Sequence, residues 1–291
     1  MRKSYLITAD FFMNKRNIFS NWILLVLVVA VFAFWKPIIR SDENTAVREN
    51  KTCIWFLDVG QGDSAYIRTQ NGKDILIDAG AGNKVLSGLQ KAMPFLDKSI
   101  DLAIATHSDQ DHIGGMDEVL KNYEVREIWW NGFESKTKTF KDFWQAVQSE
   151  IGQGALIKIP ALFETKIFPD AQITLVYIKD GKFDNKDDNE NSLVVELSEG
   201  EFDALFMADL PQEFESQISL KDIEVLKVGH HGSKTSTSDW LLDNFKPEKA
   251  VISVGKNSYG HPHQATLQKL QKRGIEILRT DEKRDIKICV D

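Results

Sequence analysis

Between residues 105 and 115 the chain reads ATHSDQDHIGG, which sets His107, Asp109, Asp111 and His112 within six positions. Imidazole nitrogens and carboxylate oxygens are common ligands of transition-metal ions. A solvated acidic loop is the simplest alternative. Against it, the preceding IDLAIAT is an apolar run that reads as a buried strand. The cluster therefore sits where a strand leaves a sheet, and α/β proteins place their chemistry there. Side chains two apart in an extended segment point the same way, so His107, Asp109 and Asp111 are expected to converge. His112 would point elsewhere, towards a second ion. Gly114 and Gly115 then open a helix whose free N–H groups would suit an anion such as phosphate.

All six histidines follow predicted apolar strands: His107, His112, His230, His231, His261 and His263. Their concentration in three loops predicts one metal centre. Asp209 ends the apolar run ALFMA. An unpaired carboxylate is costly to bury there, and bridging two cations would account for it.

The elements that must hold these residues alternate along the chain. CIWFLDV, AYIRT, KDILIDAG, IDLAIAT, VREIWWN and GALIKI read as strands, as do AQITLVYI, LVVELSEG, EFDALFMADL, IEVLKVG, KAVISVG, IEILRT and IKICVD. Helices are expected over NKVLSGLQKAMPFL, GGMDEVLKNY, KTFKDFWQAVQSEI, STSDWLLDNF and ATLQKLQKRG. In the third of these, Phe140, Phe143, Trp144 and Val147 form a stripe at helical spacing that belongs to a core. Strands lead and helices follow in both halves. That order predicts an α/β fold, an αββα sandwich spanning residues 52–291 as one domain.

The N-terminus differs in kind. Residues 17–35 carry no charge, and a helix from residue 18 to residue 35 would be roughly 27 Å long, one hydrocarbon core. Arg2, Lys3, Lys15 and Arg16 precede it. The reading is a cytoplasmic stretch over residues 1–17, a retained transmembrane signal anchor over 18–39 and a polar linker over 40–51, with the rest of the chain extracytoplasmic; a signal peptide cleaved after Val31–Ala33 is the alternative. Residues 1–40 hold six of the 36 Lys/Arg and one of the 43 Asp/Glu, so the remainder carries a net charge of −12. This is not the footprint of nonspecific nucleic-acid binding, although a metal and a local basic edge could offset it. Cys53 and Cys289 lie in the opening and closing strands and read as two small buried hydrophobes. A disulfide between them is the alternative outside the cytoplasm. The absence of Cys-x-x-Cys excludes a structural zinc site of that type.

THSDQDHIGG resembles the metallo-β-lactamase superfamily signature, here as His-x-Asp-x-Asp-His. With LDVGQGDS, ILIDAG, MADL, KVGHHGSKTSTS and ISVGKNSYGHPH, the soluble part is similar to the metallohydrolase domain of ComEC-type competence proteins. The resemblance implies a two-metal site at the sheet edges, with His107 and Asp109 on one ion, Asp111 and His112 on the other, and Asp209 bridging. One of His230 and His231 would close the shell, His230 being nearer the strand. His231 and His261 are then candidates for a proton donor or a phosphate contact, and Asp63 and Asp78 for supporting roles around the ligands. The chain departs from the wider superfamily in carrying Asp109 where a second His is usual. No His lies between His112 and Asp209. So oxygen-rich a donor set suits manganese as well as zinc.

Two such ions suit hydrolysis of phosphodiesters or other esters. The resemblance tilts the expectation towards a phosphodiesterase or nuclease at the cell membrane, with single-stranded DNA or another phosphodiester as substrate. A hydrolase of another ester, such as a phosphocholine or cell-wall component, and a non-catalytic metal-binding accessory subunit are the alternatives.

Overall fold

Short strands buried on both faces dominate the computed structural model, which describes residues 51–179, 189–219 and 222–290. The first half runs β1 (Cys53–Phe56), β2 (Ala65–Arg68), β3 (Asp74–Ile77), α1 (Lys84–Ala92), β4 (Ser99–Ile100), β5 (Leu102–Ala105), α2 (Gln110–Ile113), α3 (Met116–Asn122), β6 (Glu124–Val125), β7 (Glu127–Trp130), α4 (Lys138–Gln153) and β8 (Leu156–Lys158). The second runs β9 (Thr165–Ile167), β10 (Gln172–Tyr177), β11 (Val194–Glu199), β12 (Phe202–Phe206), β13 (Val225–Lys227), α5 (Asp239–Phe245), β14 (Lys249–Ile252), α6 (Gln264–Lys272), β15 (Glu276–Arg279), α7 (Thr280–Lys283) and β16 (Ile286–Cys289). The expected cytoplasmic stretch, the anchor over 18–39 and nearly all of the linker lie outside the described residues. No helix among the described residues is long and apolar enough to cross a membrane.

The strands form two seven-stranded sheets, ordered β16-β1-β2-β3-β5-β7-β8 and β15-β14-β13-β12-β11-β10-β9, beside a small β4-β6 pair. Alternation within each strand divides the core. Ile54, Phe56, Ile75, Ile77, Leu102 and Ile104 meet Ile173, Leu175, Val195, Leu197 and Phe206 between the sheets. The intervening Leu76, Ala103 and Ile128 pack outward on Val85, Leu89, Val119, Phe143 and Val147 of the first-half helices. Leu205, Leu226 and Ala250 do the same against Leu241, Phe245 and Leu270. Each large side chain removed from water contributes about 1.5–3 kcal/mol. The result is the expected αββα sandwich, and the aromatic stripe of α4 lies in its core.

Several expectations are corrected. The first helix stops at Ala92, because Met93 precedes a proline and is extended (φ −82, ψ 151). Strand β9 and helix α7 went unforeseen. Cys53 and Cys289 are not separate hydrophobes: they face each other across the β1–β16 ladder and form a disulfide. The N–H groups of Gly114 and Gly115 are not free for an anion either, since they donate to the carbonyls of Gln110 and Gly80. These glycines serve close packing. A Cβ on Gly115 would lie 2.3 Å from the Gly82 carbonyl oxygen.

What the fold does for function follows from strand direction. β3, β5, β7 and β8 run parallel in one sheet, and β12, β13, β14 and β15 in the other. The loops after β3, β5, β12, β13 and β14 leave the carboxyl ends of these strands, where α/β sheets place ligands.

Candidate metal centre

Asp78 follows β3 at φ 57. This left-handed conformation turns its carboxylate onto two neighbours. One oxygen accepts the Thr106 N–H at 2.9 Å, and the other accepts the Thr106 hydroxyl and faces His112 Nδ1, each at 2.7 Å. With its proton given to Asp78, the Thr106 hydroxyl accepts from His107 Nδ1 at 3.0 Å. Both imidazoles are thereby held with Nε2 pointing away from these anchors. His231 is fixed in the same manner from the other sheet. Its Nδ1 lies 3.0 Å from the Ser253 carbonyl oxygen and 3.1 Å from Asp63 Oδ1. Of the two, the carbonyl bond is the aligned one, and Asp63 acts chiefly through its charge. Lys227, almost wholly buried, holds Asp63 at 2.6 Å and donates to the Val228 carbonyl.

The three freed Nε2 atoms converge on carboxylates. His112 Nε2 lies 3.2 Å from Asp209 Oδ1, and His231 Nε2 lies 3.3 Å from Asp111 Oδ2 and 3.7 Å from Asp209 Oδ2. Yet His107 Nε2, His112 Nε2, His231 Nε2 and Asp209 Oδ1 are all buried without a hydrogen-bond partner. A buried polar atom left unpaired costs about 1–3 kcal/mol, and four at one point make sense as donors to a cation. Two donor triads stand out: His107, His112 and Asp209, and Asp111, His112 and His231. The residues therefore fit divalent metal, with one Asp209 oxygen beside His112 and the other towards His231.

Electrostatics agree. Burial and the neighbouring His112 hold His107 down to about 4, a neutral ligand at ordinary pH. Burial would also lower His231, but Asp209 and Asp63 overcome it and push the group up to about 10. Asp209 itself is held well below the carboxylate range, against the pull of burial, by His112 and His231. A field that stabilises a proton on imidazole stabilises a metal cation in its place.

The other expected residues lie at the rim. Asp109 is half exposed, with Oδ2 3.8 Å from His107 Nε2. The segment does not stay extended, because α2 begins at Gln110 and its first turn carries Asp111 and His112. His230, at φ 48, lies 3.6 Å from Asp209 Oδ2 and faces Asn189. The structure thus puts His231, not His230, among the converging donors. The His261 ring is 5.4 Å from that of His230 and 6.5 Å from that of His231. His263 stands apart from the centre: its side chain caps α6 by accepting the Ala265 N–H. Lys227 was missed, although a lone lysine inside the apolar run IEVLKV was a signal of a buried ion pair.

Comparison with known proteins adds an independent line. The family model described as the metallo-beta-lactamase superfamily matches residues 57–256. ComE operon protein 3 of Bacillus subtilis (strain 168) is 34% identical over 257 residues, covering 78% of this chain and 31% of its own length. Competence protein ComA of Neisseria gonorrhoeae is 28% identical, covering 88% of this chain and 34% of its own. The chain thus spans about a third of the length of these curated relatives. Among solved structures, the metallo-beta-lactamase fold protein YhfI from Bacillus subtilis aligns with a TM-score of 0.55 at 9% identity, over 82% of this chain and 100% of its own. At that identity the likeness speaks for the fold.

Proposed function

This chain belongs to the metallo-β-lactamase superfamily, as a ComEC-type competence metallohydrolase domain, and from that premise we propose that it hydrolyses phosphodiesters with two divalent ions. One observation carries the reading: four buried donor atoms without hydrogen-bond partners, on His107, His112, His231 and Asp209, face one another. In this reading His107 and Asp109 hold one ion, and Asp111, His112 and His231 hold the other. Asp209 lies between, and His230 stays at the rim. Two bound ions would supply a water nucleophile active at neutral pH and neutralise charge on the leaving oxygen. The protein's part is orientation: Asp78 and Thr106 fix His112 and His107, while the Ser253 carbonyl and Asp63 fix His231. His261, whose Nδ1 is buried and without a partner, would give a proton to the leaving oxygen. Three carboxylates in the set make manganese as suitable as zinc.

The resemblance to competence proteins favours a nucleic-acid strand, and single-stranded DNA at the cell surface is the proposed substrate. The disulfide supports an extracytoplasmic site, because such bonds persist in oxidising compartments. Residues 18–39 would anchor the chain in the membrane. The net charge of −12 beyond residue 40 favours a second reading, a hydrolase of a smaller ester. The test is hydrolysis of bis-p-nitrophenyl phosphate and a single-stranded oligonucleotide with manganese or zinc, alongside elemental analysis. Wild type should carry about two ions and cleave both substrates. Asp209→Ala should lose at least one ion and all cleavage. Fully metallated wild type that cleaves neither substrate above Asp209→Ala overturns the phosphodiesterase reading.

A further inference from the structure

The loop after β14 carries an aromatic ring that the metal chemistry leaves unused. Tyr259 is 72% exposed, which for a large ring forgoes burial it could obtain elsewhere. Its backbone is nevertheless well fixed. Asn257 Oδ1 accepts the N–H groups of Tyr259, Gly260 and His261 at 3.0–3.1 Å, and its Nδ2 donates to the carbonyls of Gly255 and His261 at 2.8 Å. Gly260 takes φ +79, which suits glycine and tightens the turn. The loop is also seated against the opposite sheet. A Cβ on Gly255 would come within 2.4 Å of the Gly60 carbonyl carbon, and Gly255 N–H donates to the Gln61 side chain. The exposed ring is therefore held on an anchored loop.

Its direction relative to the centre is equally definite. The Tyr259 ring lies 5.8 Å from that of His261 at an interplanar angle of 30°. His261 lies 5.4 Å from His230, which borders Asp209. A row of rings thus leads from solvent to the metal donors. The same loop bears Lys256, exposed and without an ion-pair partner among the described residues, as is Lys234 three residues after His231. A flat, exposed ring on an anchored loop that also bears an unpaired lysine, one step from a phosphodiester-cleaving centre, matches what a single nucleic-acid strand offers: a base to stack and a flanking phosphate.

We infer that Tyr259 is a base-stacking subsite, which takes the nucleobase next to the phosphodiester held at the metal centre. This rests on the phosphodiesterase reading and narrows its substrate to base-bearing strands.

The test uses the full chain loaded with manganese and fluorescein-labelled single strands of about twelve nucleotides. One strand bears bases, and the other is abasic along its length. Anisotropy reads binding, and hydrolysis of methyl p-nitrophenyl phosphate by wild type reads the basal reaction. Wild type should prefer the base-bearing strand. Tyr259→Ala should weaken that binding by about 5- to 150-fold without weakening binding of the abasic strand, and Tyr259→Trp should restore it. Equal binding of both strands by wild type, or unchanged binding by Tyr259→Ala, overturns the inference. If methyl p-nitrophenyl phosphate is still cleaved, the phosphodiesterase reading survives that failure. Base-dependent binding without any cleavage keeps the subsite and removes the reaction.

Discussion

At the scale of single residues, the centre depends on groups that never reach the metal positions. Lys227 and Asp63 are both buried, 2.6 Å apart, and Asp63 faces His231 Nδ1. Burial would raise the Asp63 carboxyl, but Lys227 and His231 hold it below its ordinary range. Lys227→Met should therefore leave a buried carboxylate without its cation and cost about 3–5 kcal/mol. It should also weaken metal binding by about 10- to 100-fold, because a buried Asp63 without its cation takes up a proton and no longer presents its charge to His231 Nδ1. Adding Asp63→Asn removes the buried charge and should recover most of the stability but not the metal affinity. Chemical denaturation and metal titration of the single and double variants check both halves. A single variant as stable and as tightly metallated as wild type would remove Lys227 from this role. The same scale shows where sequence ran out. His230 and His231 are adjacent and alike in type. Both take left-handed conformations, φ 48 and φ 51, and that double reversal decides which ring enters the donor set. Nothing in the sequence announces it.

At the scale of elements, the loop after β1 and the helix α2 are locked backbone to backbone. Asp63 N–H donates to the Asp111 carbonyl at 2.9 Å, and a Cβ on Gly62 would sit 2.3 Å from that oxygen, at φ +138. Gly62→Ala should therefore push Asp111 out of place. It should destabilise the fold by about 1–3 kcal/mol and lower metal content towards one ion per chain, read by thermal unfolding and elemental analysis. Unchanged metal content would show that α2 tolerates the shift. Elements of this kind were legible where period and composition agree. The apolar runs at 100–106 and 249–254 are strands, and the α4 stripe is core. β9 was not legible, because Thr165–Ile167 is a three-residue edge strand whose side chains are all at least partly exposed, so no burial pattern marks it. The extended reading of residues 107–111 failed for a different reason. Strand periodicity was carried past the end of β5 into a segment that turns helical at Gln110.

At the scale of the whole molecule, the chain closes on itself. β16 returns to pair with β1, and the Cys53–Cys289 disulfide joins residues 236 apart in sequence at the edge of the first sheet. Composition alone could not reveal this pairing, because a small buried cysteine and a half-cystine read identically in an apolar strand. The bond constrains an unfolded chain of nearly the full domain length, so removing it should lower stability by about 2–5 kcal/mol. The expected result is a lower unfolding midpoint for Cys53→Ser/Cys289→Ser. Reductant should lower the wild-type midpoint similarly and leave that of the double variant unchanged. The converging donors do not involve either cysteine, so metal content should persist in the folded variant. The same bond tests where the domain works. An oxidising compartment maintains it, whereas cytosolic thiols would keep both cysteines reduced. In cells, alkylation with a mass tag should find both cysteines blocked, and a reporter fused after Asp291 should be active only outside the cytoplasm. Free thiols together with cytoplasmic reporter activity would overturn the extracytoplasmic proposal and leave the metal centre untouched.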